Sequence, residues 1–245
     1  MAKRLNQRVK IEKRLVSFAI LYDQQSSKSK NQQLQIAMVD HQLKLLDKQI
    51  NSINKKYAKN EIVICVGYQS HIVINHLHKN HNGKNIRIVE NPNYLDSNSC
   101  ESLRIIMNNI HNNRIIIIDG SMSVPERVYN KLTLEGCHVV VSKEKNDNAN
   151  IGANISSEDR IEYLSYGGCQ ECKNILVLCN PRAIHYIKKV MATGEYKNKF
   201  IFEILNELIS LKYIIKAIQV KDKISQISNM KFMKSRGKKY EIYNR

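Results

Sequence analysis

Short apolar runs alternate with longer amphipathic segments over the first half of the chain. Four runs are apolar enough to predict buried strands, at residues 16–22, 61–66, 86–89 and 115–118. Between them apolar side chains recur at helical spacing, which predicts helices at residues 42–53, 72–78 and 99–110. Strands and helices that alternate in this way predict a parallel sheet wrapped by helices.

The second half of the chain is richer in predicted strands. These are residues 137–142, 151–155, 160–166, 174–178 and 214–220, with predicted helices at residues 181–190 and 200–209. No internal repeat and no linker rich in Gly, Pro or Ser divides the chain. We therefore predict one α/β domain with a mixed, mostly parallel, Rossmann-like sheet at residues 16–228. A basic N-terminal extension (residues 1–15) and a basic C-terminal tail (residues 229–245) flank it.

Composition places the chain among soluble globular proteins. Of its 245 residues, 42% are hydrophobic and 25% are charged, which is the usual balance. No apolar run approaches the roughly 18 residues that span a bilayer, and the basic start lacks the apolar segment of a signal peptide. Six irregularly spaced cysteines favour a reducing compartment over a disulfide framework. We expect a cytoplasmic protein with no membrane association.

The formal net charge of +17 is concentrated at the two ends of the chain. Residues 1–14 contain six Lys or Arg residues against one Glu, and residues 231–245 contain the same ratio. Basic arms predict contact with nucleic acid or with an acidic protein surface, within a larger assembly. Solvated termini that only increase solubility are the alternative, and no helix-turn-helix pattern strengthens the nucleic-acid case.

The middle of the chain carries a set of residues in a characteristic order. Gly67-Tyr68 follows the second predicted strand, and Asn91-Pro92-Asn93-Tyr94 follows the third. Ser97-Asn98 and Ser102-Leu103 come next, and the fourth strand leads into Asp119-Gly120-Ser121. This order resembles the sugar-phosphate and choline-phosphate nucleotidyltransferases, enzymes that join a nucleoside triphosphate to a phosphorylated small molecule. A simple turn before a capped helix would explain Pro92 and Ser97, but not the whole set.

The resemblance implies a GT-A-like nucleotidyltransferase fold and positions for a nucleotide and an acceptor. The implied nucleotide-binding positions are Leu21, Lys28, Gly67, Tyr68, Asn98, Ser102, Gly120 and Ser121. Residues 199–206 resemble the family's helix beside the acceptor pocket, with Glu203 and Asn206 as its polar residues. An ordinary amphipathic helix is the alternative interpretation of that segment.

The loop after the first strand departs from the family pattern. Family members carry a Gly-rich loop with an Arg, then Lys-Pro, because backbone amides and cations stabilise the triphosphate. Residues 22–28 here contain no glycine, and Asp23 is expected to set a negative charge against the phosphates. Lys28 is the one candidate to replace the loop Arg, and Gln32-Gln33 replace Lys-Pro.

The metal-binding positions also depart from the pattern. With Gly120 aligned on the family's glycine, Ser121 replaces the magnesium-binding Asp. Asp119 comes one residue early, so strand alternation predicts that it points to the opposite face. Residues 223–227, after the late strand, contain no carboxylate, and Asp222 is the nearest. We predict no metal ligands and no catalytic residues at this site.

These losses favour a catalytically degenerate family member that serves as a binding or structural component. Transfer to a phosphate depends on positioning and on charge neutralisation, and both are weakened here. The alternative is an active, diverged Mg-dependent nucleotidyltransferase, and a third hypothesis is nucleotide binding without turnover. The Asn-, Ile- and Lys-rich composition is typical of AT-rich genomes, which suggests a viral or phage assembly and, in that case, location in the virion.

Two further clusters are weak candidates for metal sites. Cys169 and Cys172 have the spacing of zinc ligands but lack a second pair, so we interpret them as incidental thiols. Four histidines, His71, His76, His78 and His81, lie close together without a carboxylate at fixed spacing. We interpret them as surface residues.

Overall fold

The computed structural model describes residues 15–23, 32–83, 85–146 and 150–226, with the backbone alone at residues 32–38, 145 and 225–226. Lys28, residues 1–14 and residues 227–245 lie outside the described residues. The predicted basic extension and tail, and therefore the predicted domain boundaries, remain predictions. Among the helices of the described residues, none is both long enough and apolar enough to cross a membrane.

Eleven strands and six α-helices alternate along the described chain. The strands are β1 (Val16–Tyr22), β2 (Asn60–Val66), β3 (Ile86–Glu90), β4 (Ile115–Asp119), β5 (Met122–Ser123), β6 (Gly136–Lys145), β7 (Ile151–Ile155), β8 (Ile161–Tyr166), β9 (Gln170–Cys179), β10 (Ile215–Val220) and β11 (Ser225–Gln226). The helices are α1 (Gln32–Lys56), α2 (Ser70–His81), α3 (Ser99–Asn108), α4 (Glu126–Tyr129), α5 (Pro181–Met191) and α6 (Ile201–Ser210), and a 3₁₀ turn spans Glu195–Asn198.

A nine-stranded, mostly parallel sheet forms the centre of the fold. Its strand order is β10-β6-β9-β4-β1-β2-β3, with β7 attached to β9 and β8 to β7. Strand β1 pairs in parallel with β2 and β4, so that Phe18 lies opposite Ile62 on one side and Ile116 on the other. Strand β9 is antiparallel to both β4 and β6. The predicted α/β class with a mixed, mostly parallel sheet is confirmed.

Two apolar layers cover the two faces of this sheet. Because side chains alternate along a strand, Phe18 and Ile20 face one layer and Ala19 faces the other. The first layer also contains buried side chains of α1 and α2: Leu46, Ile50, Ile53, Val73 and Leu77. The second layer contains buried side chains of α3, α5 and α6: Leu103, Ile106, Ile187, Ile204 and Leu208.

The predicted core elements are present, and the main difference is the length of α1. The helix was predicted at residues 42–53 but runs from Gln32 to Lys56, so Gln32-Gln33 lie in its first turn. Residues 36–39 form an unbroken apolar run, whose pattern does not distinguish a helix from a strand. Gln, Leu, Ala and Met are good helix formers and account for its extension.

We predict that Ile50→Ala strongly destabilises the protein. Ile50 lies on α1 and is fully buried against the sheet (0% exposed), so truncation leaves a cavity and should lower the free energy of unfolding by about 2–5 kcal/mol. Lys44 is exposed on the same helix, and the matched change Lys44→Ala should alter the free energy of unfolding by less than about 0.5 kcal/mol. Denaturant unfolding measures both values. Equal losses in the two variants would contradict this packing.

Candidate functional site

The candidate site lies where the carboxyl ends of four neighbouring parallel strands meet. Strands β1, β2, β3 and β4 are adjacent and parallel, so the residues that follow them share one edge of the sheet. Asp23, Gly67, Asn91 and Gly120 each follow one of these strands directly. In open α/β sheets this edge is where ligands bind.

Asp23 is buried at this edge and is held by side chains from two other elements. It is 4% exposed, and its carboxylate accepts hydrogen bonds from Ser102 Oγ and, at 3.4 Å, from Asn91 Nδ2. Burial raises the pKa of Asp23, while the hydrogen bonds from Ser102 and Asn91 act in the opposite direction. The expectation that Asp23 faces the phosphates is therefore wrong, because its carboxylate points into a polar network inside the protein.

Asn91 is the centre of this network. Its Nδ2 donates to Ser102 Oγ at 2.9 Å and to Ser97 Oγ at 3.1 Å, and its Oδ1 accepts the Asn93 N–H at 3.0 Å. Ser97 Oγ in turn donates to the Asn93 carbonyl at 2.7 Å. An Asn side chain that bonds the backbone two residues on is a common turn device. Much of the motif from Asn91 to Ser102 is therefore explained by the turn and by the contact with Asp23.

Gly67 allows the Asn91 turn to approach the end of β1. A Cβ at this position would lie 2.7 Å from Tyr94 Cβ and 2.8 Å from the Asp23 carbonyl oxygen. The neighbouring Tyr68 donates its backbone N–H to the same Asp23 oxygen at 3.2 Å. The Tyr68 and Tyr94 rings lie 6.4 Å apart by their centroids. Gly67 and Tyr68 thus lie beside Asp23, and their contact with a nucleotide remains a prediction.

The turn after β4 brings Asp119 and Ser121 together. Gly120 donates its N–H to the Leu21 carbonyl at 2.8 Å, and a Cβ there would lie 2.6 Å from Tyr22 Cδ2. Asp119 Oδ1 accepts the Ser121 N–H at 2.8 Å and the Ser121 hydroxyl at 2.6 Å. Burial raises the pKa of Asp119, the Ser121 hydrogen bonds oppose this, and the nearby Asp23 raises it further. These bonds occupy Asp119 Oδ1 within its own turn.

A cavity of about 230 Å³ lies beside this turn. It extends from the ends of β1 and β4 to α6, and apolar side chains such as Leu21, Ile117 and Phe202 make up most of its lining. Asp119 also lines it, so the expectation that Asp119 points away from the site is wrong. Asp119 and Ile117 share a face of β4, and the cavity lies on that face. Within the described part of the chain, no Lys or Arg side chain lines the cavity.

The other predicted site residues make structural contacts. Asn98 Nδ2 donates to the Asn198 carbonyl at 2.6 Å. The Glu203 carboxylate accepts the Phe200 N–H at 2.7 Å, which caps the start of α6. Asn206 bonds both backbone groups of Leu164, accepting at 2.9 Å and donating at 2.7 Å, and so joins α6 to β8. Contact of these residues with a ligand remains a prediction.

The residues present do not fit the magnesium site that the resemblance implies. Ser121 replaces one carboxylate, and Asp119 Oδ1 is already bonded to Ser121. Asp222, the nearest acidic residue to the second position, is buried and forms ion pairs with Arg127 and, at 2.6 Å, with Lys131. Its charge is neutralised by these two cations. Mg²⁺ in nucleotide sites usually needs one or two carboxylates that are available to it.

The two weak metal candidates differ in the structure. Cys169 is exposed and Cys172 is partly buried; burial and the neighbouring Glu171 raise the pKa of the Cys172 thiol to about 12. Among the described residues, one set of three or more His, Cys, Asp or Glu side chains has its ligand atoms within 4.8 Å of one another, and it consists of Asp47, His76 and His81. His81 is 5% exposed, so its interpretation as a surface residue is wrong. Asp47 was missed because it lies on a different helix.

Comparison with known proteins places the fold in a defined class. No protein-family profile matches the sequence, and no curated protein matches it by sequence. The CTP:phosphocholine cytidylyltransferase of Streptococcus pneumoniae matches the structure with a TM-score of 0.69 and 14% identity, over 91% of this chain and 97% of that chain. The inositol-1-phosphate CTP transferase of T. maritima matches with a TM-score of 0.65 and 13% identity, over 90% and 94% of the two chains.

A third similar structure has a related name. It is the nucleoside-diphosphate-sugar pyrophosphorylase of Vibrio cholerae, with a TM-score of 0.61 and 10% identity, over 89% of this chain and 98% of that chain. The chain therefore has a nucleotidyltransferase-like fold over about nine-tenths of its length, and this prediction is confirmed. At such low sequence identity the structural similarity shows the fold alone, and it does not show the activity.

We predict that Ser102→Ala destabilises the protein most at alkaline pH. Because burial raises the pKa of Asp23, its contribution to stability is greatest at acid pH and is lost as the pH rises through the folded-state pKa. Removal of the Ser102 hydroxyl takes one hydrogen-bond donor from the ionised carboxylate, which should lower the free energy of unfolding by about 1–3 kcal/mol. Urea unfolding at pH 5 and pH 8 should show the larger loss at pH 8.

Ser97→Ala is the matched control for this prediction. Ser97 also accepts a hydrogen bond from Asn91, but the Asp23 hydrogen bonds come from Ser102 and Asn91. Its removal should lower the free energy of unfolding by less than about 1 kcal/mol and by the same amount at both pH values. If Ser102→Ala lowers the free energy of unfolding equally at both pH values, the Ser102 hydroxyl does not stabilise an ionised Asp23 carboxylate, and the prediction is wrong.

Proposed function

We propose that this chain is a nucleotidyltransferase-fold protein that does not transfer nucleotides and that serves as a binding or structural component. The observation that carries the proposal is the electrostatics of the cleft. Its cavity is lined by apolar side chains and by the carboxylate of Asp119, with no cationic side chain among the described residues of the lining. A polyphosphate in this cavity would find no cationic partner among these residues.

Neutralising charge is essential for this reaction, and the described residues of the cavity lining supply none. Phosphoryl and nucleotidyl transfer rely on positioning and on cations that stabilise the developing charge. Loss of one such group typically lowers the rate by about 10²–10³-fold. Here Ser121 replaces a metal carboxylate, and the sequence after β1 lacks the glycines that would let backbone amides reach the phosphates.

The inward orientation of Asp23 supports the same conclusion. Family members use the end of this strand to lead into the phosphate loop. Here the end of β1 is joined to Asn91 and Ser102 through the Asp23 carboxylate and to Tyr68 through the Asp23 carbonyl. The segment is thus organised for contact within the protein.

One observation favours the alternative of an active, diverged nucleotidyltransferase. Asp119 lines the cavity at the carboxyl end of β4, the edge at which ligands bind in such sheets. A single carboxylate there could assist a substrate if Lys28 and the basic residues of the ends supplied the missing positive charge. Nucleotide binding without turnover is the intermediate case.

We predict no pyrophosphate release and no magnesium-dependent binding of CTP, UTP or ATP. Calorimetric titration with each nucleotide and Mg²⁺ should give no heat of binding, and turnover should lie at least about 10⁴-fold below that of the S. pneumoniae cytidylyltransferase assayed with CTP and phosphocholine, because two charge-stabilising features are lost. Pyrophosphate release that Asp119→Asn abolishes would overturn the proposal. The exposed Asp96 provides the matched control, Asp96→Asn.

The basic ends are proposed to contact an acidic partner within a larger assembly, for example a viral or phage particle. Six basic residues against one acidic residue at each end support this part of the proposal, as does the Asn-, Ile- and Lys-rich composition. The partner can be an acidic protein surface or nucleic acid.

We predict that duplex DNA or heparin binds the full chain with an affinity that falls steeply with salt, because binding releases counterions. A variant with Lys234, Arg236, Lys238 and Lys239 changed to Gln should bind more weakly and reduce the slope of log affinity against log salt. Changing the exposed Lys44, Lys48, Lys55 and Lys56 of α1 to Gln is the matched control. The same loss in both variants would show that the tail has no special role.

A further inference from the structure

A cluster of one carboxylate and two imidazoles joins α1 to α2, on the face of the sheet opposite the one that borders the cavity. Asp47 lies on α1, and His76 and His81 lie on α2. Asp47 Oδ1 is 2.9 Å from His76 Nε2 and 2.5 Å from His81 Nε2. All three potential ligand atoms lie within 4.8 Å of one another. Two helices that are distant in sequence thus direct three metal-ligating groups to one point.

The residue types and their spacing match those of zinc sites. His76 and His81 are separated by four residues, which falls within the H-x₃₋₅-H spacing of zinc ligands. Zn²⁺ is bound by imidazole nitrogen and carboxylate oxygen at about 2.0–2.2 Å. Ligand atoms around one such ion lie about 3.3 Å apart in a tetrahedron with these bond lengths, so Asp47 Oδ1 and His81 Nε2, which are 2.5 Å apart, would have to separate by under about 1 Å to bind it.

The exposure of the three side chains suits three protein ligands and one water. His81 is 3% exposed in its side chain and forms the inner wall of the cluster. His76 is 22% exposed and Asp47 is 27% exposed, so the outer side opens to solvent. Catalytic and other open zinc sites have this arrangement of three protein ligands with a fourth position for water.

The surroundings of His76 include a polar neighbour for its second ring nitrogen. Asn80 Nδ2 lies 3.1 Å from His76 Nδ1 and 3.4 Å from His76 Nε2, and it donates to the His76 carbonyl at 3.0 Å. A metal-ligating histidine usually donates the N–H of its other ring nitrogen to an acceptor. The Asn80 side chain is exposed and can turn to offer its amide oxygen when Nδ1 carries the proton.

We propose that Asp47, His76 and His81 form a Zn²⁺ site that clamps α1 to α2, with water as the fourth ligand. The proposed zinc site lies across the sheet from the cavity, and its three ligands play no part in the function proposed above. A hydrogen-bonded latch without metal is the competing account of the same distances. If the three side chains form a zinc site, they bind the ion when it is added; if they form only a hydrogen-bonded latch, they do not.

The test uses the full chain with Cys169→Ser and Cys172→Ser, so that thiols do not bind the added metal. Equilibrium dialysis against Zn²⁺ should give one ion per chain, and Co²⁺ should give the visible absorption of a four-coordinate site. At a hundredfold excess over Kd, Zn²⁺ should raise the midpoint of thermal unfolding by roughly 5–10 °C.

The variants His76→Gln and Asp47→Asn should each weaken Zn²⁺ binding by at least about 10-fold, since each removes a ligand or its charge. Both residues are partly exposed, so these variants are expected to fold, and circular dichroism checks this. His71→Gln and His78→Gln alter exposed histidines of the same helix and should leave the affinity unchanged.

Absence of stoichiometric Zn²⁺ binding, or an equal loss of Zn²⁺ affinity in control and ligand variants, would overturn the proposal. Variants that lower stability without zinc while keeping zinc affinity would establish the latch instead and also overturn it.

Discussion

The hydrogen-bonded burial of the Asp23 carboxylate is the constraint on which the candidate site depends. A buried carboxylate is costly unless donors surround it, and here Ser102 and Asn91 supply them. These donors come from the start of α3 and from the turn after β3. One carboxyl group therefore links three elements at the edge of the sheet, directly after β1.

This constraint gives the residues of the nucleotidyltransferase-like motif structural roles of their own. Asn91 and Ser102 hold Asp23 in place, and Gly67 lets the Asn91 turn pack against the end of β1. Their positions follow from packing and hydrogen bonding without any nucleotide. The adjacent cavity is lined mostly by apolar side chains.

The sequence predicted the fold well and the site only in part. Buried parallel strands such as β1 and β4 are nearly continuous apolar runs, which makes them easy to recognise. The direction of Asp23 depends on donors from distant segments, so strand pattern alone could not reveal it. The contact of Asp47 with His76 and His81 joins two helices, and no spacing along the chain encodes it. Asp119 was misjudged because the face of β4 that borders the cavity was unknown.

The most direct test of the central claim is a high-resolution crystal structure of the protein soaked with CTP and Mg²⁺. We expect the Asp23 carboxylate to stay within hydrogen-bonding distance of Ser102 and Asn91, with no triphosphate or metal beside Asp119 and Ser121. An Asp23 side chain turned toward the cleft, together with Mg²⁺ bound between Asp119 and the phosphates, would contradict it.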